Sequence, residues 1–106
     1  MGAIDRAALD AQTGGDAALA REVLGLFVGQ CRSLLPGIAD ASLTRAHRAD
    51  LAHTLKGSAA GVGAGRVHAF ADAVEARLRA GDDEDGTVAA LEAAVAAALG
   101  AIEAGI

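Results

Sequence analysis

Tryptophan and tyrosine are absent from this 106-residue chain, and its only aromatic residues are two phenylalanines. Since 53% of the residues are nonetheless hydrophobic, the core has to be assembled from alanine, leucine and valine. Alanine is the strongest helix former and strand-favouring residues are scarce, so the composition predicts an all-helical chain. The near-lack of stacking aromatics, together with a net charge of −5, excludes a general nucleic-acid binder. The single cysteine, Cys31, excludes an internal disulfide and reads as buried core. No amino-terminal run orders charged, apolar and small residues as a secretory signal does. Only the alanine-rich carboxy end approaches the length of a membrane span, and Glu92 and Glu103 interrupt it. The expectation is a cytoplasmic chain without a membrane segment. Its length predicts one domain, residues 1–106, with one modest core.

Taken in order, the chain spells a series of amphipathic helices. Asp5 can cap a short first helix to about Gln12, before the Thr13-Gly14-Gly15 break. Asp16 caps the next. Its Leu19, Val23, Leu26, Phe27, Cys31, Leu34, Leu35 and Ile38 recur at helical spacing as a wide apolar stripe. The only proline, Pro36, predicts a kink or an end near Leu35, with resumption to about Ala41. Thr44 caps a third helix over about 45–60, which Gly61, Gly63 and Gly65 end. Those glycines follow no strand and lack dinucleotide-binding spacing, so a tight helix-to-helix turn is their reading. A fourth helix, from about Ala64 to Ala80, turns Val67, Phe70, Val74 and Leu78 inward. Gly81 and the acidic Asp82-Asp83-Glu84-Asp85-Gly86 loop stop it. The last helix, about Thr87 to Glu103, shows Val88, Leu91, Val95, Ala98, Leu99 and Ile102 on one side. The economical architecture is all-α: an antiparallel up-down-up-down four-helix bundle with a short extra amino-terminal helix.

One stretch stands out, His53-Thr-Leu-Lys-Gly-Ser-Ala-Ala-Gly-Val-Gly-Ala64. On a helical wheel of about 100° per residue, Leu51, Leu55 and Val62 fall within roughly 20° of the pole opposite His53 and form the predicted buried stripe. The residues within roughly 40° of His53 on its own face are Ala46, Ala49, Gly57, Ala60 and Ala64, all small. Lys56 sits one step round. A glycine inside a helix costs about 1 kcal/mol relative to alanine, and such a position often marks the close approach of another surface. The pattern suggests an imidazole offered to a macromolecular partner, with an ammonium beside it. Charge is spread to match: residues 32–68 carry +3, residues 69–106 carry −6 and the first 31 carry −2. An acidic partner pocket would be steered to the positive third.

The run His53-Thr54-Leu55-Lys56-Gly57-Ser58-Ala59, followed by Gly63-Ala64, resembles the motif of histidine phosphotransfer (HPt) domains, the phosphohistidine relays of two-component signalling. The resemblance implies that His53 is the phosphoacceptor, that Lys56 lies against the phosphoryl oxygens, and that Gly57 is clearance for a docking receiver domain. Ala49, Ala60 and Arg48 are the further candidates for that partner surface. The chemistry is coherent: neutral imidazole, with an unperturbed pKa near 6.5, is a competent nucleophile at cellular pH. The transition state is loose and in line, so positioning and charge neutralisation dominate. By the resemblance, Mg²⁺ belongs to the partner receiver and none to this chain.

Glu75, 22 positions after His53, has two readings. In the family this place carries a Gln or Glu near the phosphoacceptor ring, where a carboxylate fixes the tautomer. The plain alternative is an i,i+4 pair with Arg79. Lys56 likewise has a plain reading as a solvated lysine or a partner of Asp50. Ser58 leans to the core, and His47 and His68 read as surface residues. The three histidines lack i,i+4 ligand spacing, so no metal site is expected. The expected function is a monomeric phosphorelay intermediate between a sensor or hybrid histidine kinase and a response regulator, not a self-sufficient enzyme. Nothing resembles an ATP site. The alternatives are a helical adaptor that does not transfer and a dimerisation module of a signalling complex.

Overall fold

The computed structural model describes residues 2–82 and 86–105. Among the described residues there are five helices and no strand: α1 (Arg6–Thr13), α2 (Ala17–Ala39), α3 (Arg45–Gly61), α4 (Gly65–Ala80) and α5 (Gly86–Glu103). The first three starts follow from local chemistry. Asp5 Oδ1 accepts from the amides of Ala7 and Ala8, Asp16 Oδ1 from Leu19, and Thr44 Oγ1 from His47, satisfying amides that the first turn leaves without partners. The ends are as local. Gly14 and Gly81 take left-handed conformations, and behind Gly81 the Asp82 amide reaches back to the Arg77 carbonyl, closing the helix in the Schellman manner. Of the acidic loop expected beyond it, residues 83–85 lie outside the described residues.

The helices pack in a ring, α2 on α3, α3 on α4, α4 on α5 and α5 back on α2, with α1 laid against α2. Short connections make the neighbours antiparallel, so the up-down-up-down bundle with an extra first helix is the observed fold. Its core holds one large aromatic, Phe27, among leucines, valines and alanines, with Cys31 buried in the middle. Loss of solvent there pushes the Cys31 thiol up to about 11, which keeps it protonated and unreactive.

Four expectations need correction. Of the kink or end expected near Leu35, the end is not found: helix α2 runs through Pro36 to Ala39. The proline removes one backbone bond at a cost of about 3 kcal/mol, but Leu34, Leu35 and Ile38 pack on both sides of it and hold the helix together. Leu26 is not part of the core: its residue surface is 65% exposed, and Leu19 is exposed as well. The buried face of α3 is Ala49, Ala52, Leu55 and Ala59 rather than a leucine stripe, and Leu51 is only partly buried. Finally, Glu92 and Glu103 do not prevent α5 from being long and apolar enough, by length and composition alone, to cross a membrane; here Leu91, Ala94, Val95 and Ala98 are buried in the bundle.

Small residues set the close approaches. A Cβ at Gly37 would lie 2.6 Å from Leu51 Cδ1, where α2 meets α3. At Gly63 the constraint is stricter, because its φ is +73° and a Cβ would lie 2.7 Å from the Asp5 carbonyl oxygen. The Gly63 carbonyl in turn accepts from the Asp5 amide at 2.8 Å, tying the amino-terminal segment to the α3–α4 turn. Gly63→Ala therefore meets both a left-handed backbone, costing about 1–2 kcal/mol, and a backbone clash. The expected result is a melting temperature at least about 5 °C lower, read by circular dichroism.

Candidate functional site

The histidine helix sits between α2 and α4, and alanines at 52 and 59 let both neighbours come close. The buried face is thus centred near Ala52 and Ala59, roughly 110° around from His53 instead of diametrically opposite. That offset puts His53 on the flank facing α4. Its side chain is 64% exposed, and Nδ1 lies 3.2 Å from Glu75 Oε1. The ionised carboxylate can only accept. In the neutral ring the proton is therefore assigned to Nδ1, and Nε2 is left with its lone pair.

Glu75 is the hub of the site, with a side chain only 12% exposed. Its Oε1 also takes Lys56 Nζ at 2.9 Å, and its Oε2 takes Arg79 Nε at 2.9 Å. Glu75 thus meets His53 through one carboxylate oxygen and makes the i,i+4 pair with Arg79 through the other. The Lys56 ammonium above all, then Arg79 and the His53 ring, hold the Glu75 carboxyl down to about 2. The folded value lies below that of the unfolded chain, so the stabilisation is present above the ordinary carboxylate range and is lost as pH falls towards about 2. Acid titration of unfolding free energy is expected to fall more steeply below pH ~5 for the wild type than for Glu75→Gln.

Lys56 is not a lone cation. Besides Glu75 it binds Asp72 Oδ1 at 3.1 Å, while Asp50, its expected partner, binds Arg79 Nη2 at 3.0 Å instead. Sequence reasoning missed Asp72, although it lies three residues before Glu75 and so shares the face turned to α3. It also missed His68, which is exposed as expected but whose Nδ1 sits 3.2 Å from the Lys56 carbonyl oxygen. The positive surface expected around His53 is therefore offset: Lys56 and Arg79 are matched by Asp50, Asp72 and Glu75.

Of the expected partner surface, Gly57 and Ala60 are exposed, and a Cβ built at Gly57 meets nothing within 4 Å. Ala49 is not available, being wholly buried; one turn before His53 it already leans into the α3 core face. Arg48 is turned away too. Its Nε donates to the Ile38 carbonyl at 2.8 Å, capping the end of α2 on the side of α3 remote from the imidazole. Instead, an open groove beside Gly57 is lined by Val23, Leu26, Phe27, Gln30, Ser58, Gly61 and Val62. Exposed Leu26 is the residue that a wheel of α2 hides, since it falls on the edge of an otherwise buried stripe.

Among the described residues no group of three or more His, Cys, Asp or Glu is arranged to hold a metal ion. No curated protein and no solved structure matches the chain. The family model described as "Hpt domain" matches residues 22–105, which spans α2 to α5 and includes every residue of the His53–Glu75 cluster. The chain belongs to the Hpt domain family.

Proposed function

We propose that His53 accepts a phosphoryl group on Nε2 and hands it to a receiver aspartate. Hpt domains are phosphocarrier modules of phosphorelays, and the observation that carries the assignment to His53 is its ring geometry. Glu75 engages Nδ1, and the ring stands exposed over a flank of small residues. In the transfer, the Nε2 lone pair attacks phosphorus of an aspartyl phosphate, the P–O bond to the aspartate breaks, and the carboxylate leaves; the Nδ1 proton stays on the ring, hydrogen-bonded to Glu75. The reverse sequence discharges the ring onto the next receiver. Each receiver brings Mg²⁺ and its own carboxylates, while this chain provides a positioned imidazole and, in Lys56, a point charge near the phosphoryl oxygens. Gly57 and Ala60 leave room for the receiver, and Leu26 offers it an apolar contact at the edge of the same face. The chain acts as a monomer in the cytoplasm, fed by a sensor or hybrid histidine kinase or by its receiver, and discharging to a response regulator.

The test is incubation with a panel of phosphoramidate-charged receiver domains and with phosphoramidate alone. Acid-labile, base-stable phosphate on the chain is expected. A folded chain that takes up none from any donor would overturn the proposal.

A further inference from the structure

Along the seam between α3 and α4 the charges alternate: Asp72, Lys56, Glu75, Arg79, Asp50. Three acids against two bases leave the group with one net negative charge beside the imidazole. A phosphoryl group on His53 would place about two more on its own oxygens. Lys56 is the cation next to it, and an ammonium has three N–H donors. Two of these are already directed at Asp72 and Glu75. Glu75 is nearly buried and also holds the ring, whereas the Asp72 side chain is 63% exposed and touches Lys56 alone among the contacts that define the cluster. Its carboxylate contributes nothing to the orientation of His53. What it does is divide the charge of Lys56.

We infer that Asp72 sets the phosphoryl-transfer potential of His53, holding Lys56 back so that the phosphorylated ring favours release to a receiver carboxylate. The inference rests on the reading that His53 carries the phosphoryl group. Asp72 is a positioning residue in this account, since it acts through Lys56 and never meets the reacting atoms. The bookkeeping of the step is unchanged: the P–Nε2 bond breaks, the P–O bond to the receiver aspartate forms, and only the balance point moves. With Asp72 neutralised, Lys56 turns more of its charge to the phosphoryl oxygens, and the phosphohistidine becomes the more comfortable resting place. For a pair this exposed the shift is about two- to five-fold.

The experiment mixes the chain with a phosphoramidate-charged receiver domain that labels it, and reads the ratio of phosphohistidine to aspartyl phosphate once both directions have equilibrated. Asp72→Asn is expected to raise that ratio about two- to five-fold, and Asp72→Glu to return it towards the wild type. Both variants keep an exposed side chain at the same helix position, so thermal midpoints report whether folding is intact. The decisive comparison is a double-mutant cycle: with Lys56→Gln in the background, Asp72→Asn should lose most of its effect. An unchanged ratio for Asp72→Asn, or the same shift with and without Lys56, overturns the inference while leaving His53 as phosphoacceptor untouched. Failure of the wild-type chain to take label at all would instead overturn the underlying reading, and this inference with it.

Discussion

His53→Gln is expected to reduce incorporation of acid-labile phosphate to background, a loss of more than about 100-fold, with helix content unchanged. The side chain is largely exposed and, among the described residues, its polar contact is with Glu75, so removing the ring opens no cavity. Glutamine keeps an amide that can donate to the same carboxylate, and Glu75 retains Lys56 and Arg79. What disappears is the only nucleophilic nitrogen in the cluster. His47 and His68 remain as internal controls, because both are exposed on the same short stretch of chain. The comparison is made with phosphoramidate as donor and circular dichroism as the check on folding. Surviving label at wild-type level would move the phosphoacceptor to one of those two residues.

Gly57→Leu is expected to make the protein more stable and a worse relay. Glycine in a helix interior is about 0.8–1 kcal/mol worse than a good helix former, and a Cβ at 57 projects into open space. The melting temperature should therefore rise by several degrees. Transfer should fall about 100-fold, because an in-line phosphoryl transfer tolerates little displacement and an error near 1 Å is worth about that much. A branched side chain one turn from His53 and beside Leu26 holds the receiver off by more than this. Gly57→Ala adds a single methyl group and should give most of the stability with a smaller loss of rate. Opposite movements of melting temperature and transfer rate cannot arise from misfolding. Wild-type transfer by Gly57→Leu would show that the bare face has no role in docking.

How much of this was legible beforehand depended on which residues do the packing. Caps and stops are local chemistry, so Asp5, Asp16, Thr44 and Gly81 marked the helices to within a residue or two. The motif at His53 pointed to the family directly. What a helical wheel could not give was the direction of burial, because it weighs leucines and ignores alanines. In α3 the alanines at 49, 52 and 59 are buried together with Leu55, since two neighbouring helices approach closely there. That error hid Ala49 in a supposed surface. It also turned His53 straight out to solvent, where no other helix could have touched it. The true direction, on the α4 flank, is what brings Glu75 to Nδ1. The partner of Lys56 was likewise unreadable within one helix: Asp50 is near in sequence, but Asp72 and Glu75 are nearer in space because α4 runs antiparallel beside α3.

In the proposed relay, Glu75 keeps the proton on one ring nitrogen of His53 so that the other can take phosphorus. Nitrogen-15 and phosphorus-31 NMR of the chain, before and after charging with phosphoramidate, tests it at the atoms concerned. The expected result is a proton on Nδ1 of His53 beforehand and phosphorus bonded to Nε2 of that same ring afterwards. Phosphorus on Nδ1, or on His47 or His68, would contradict it.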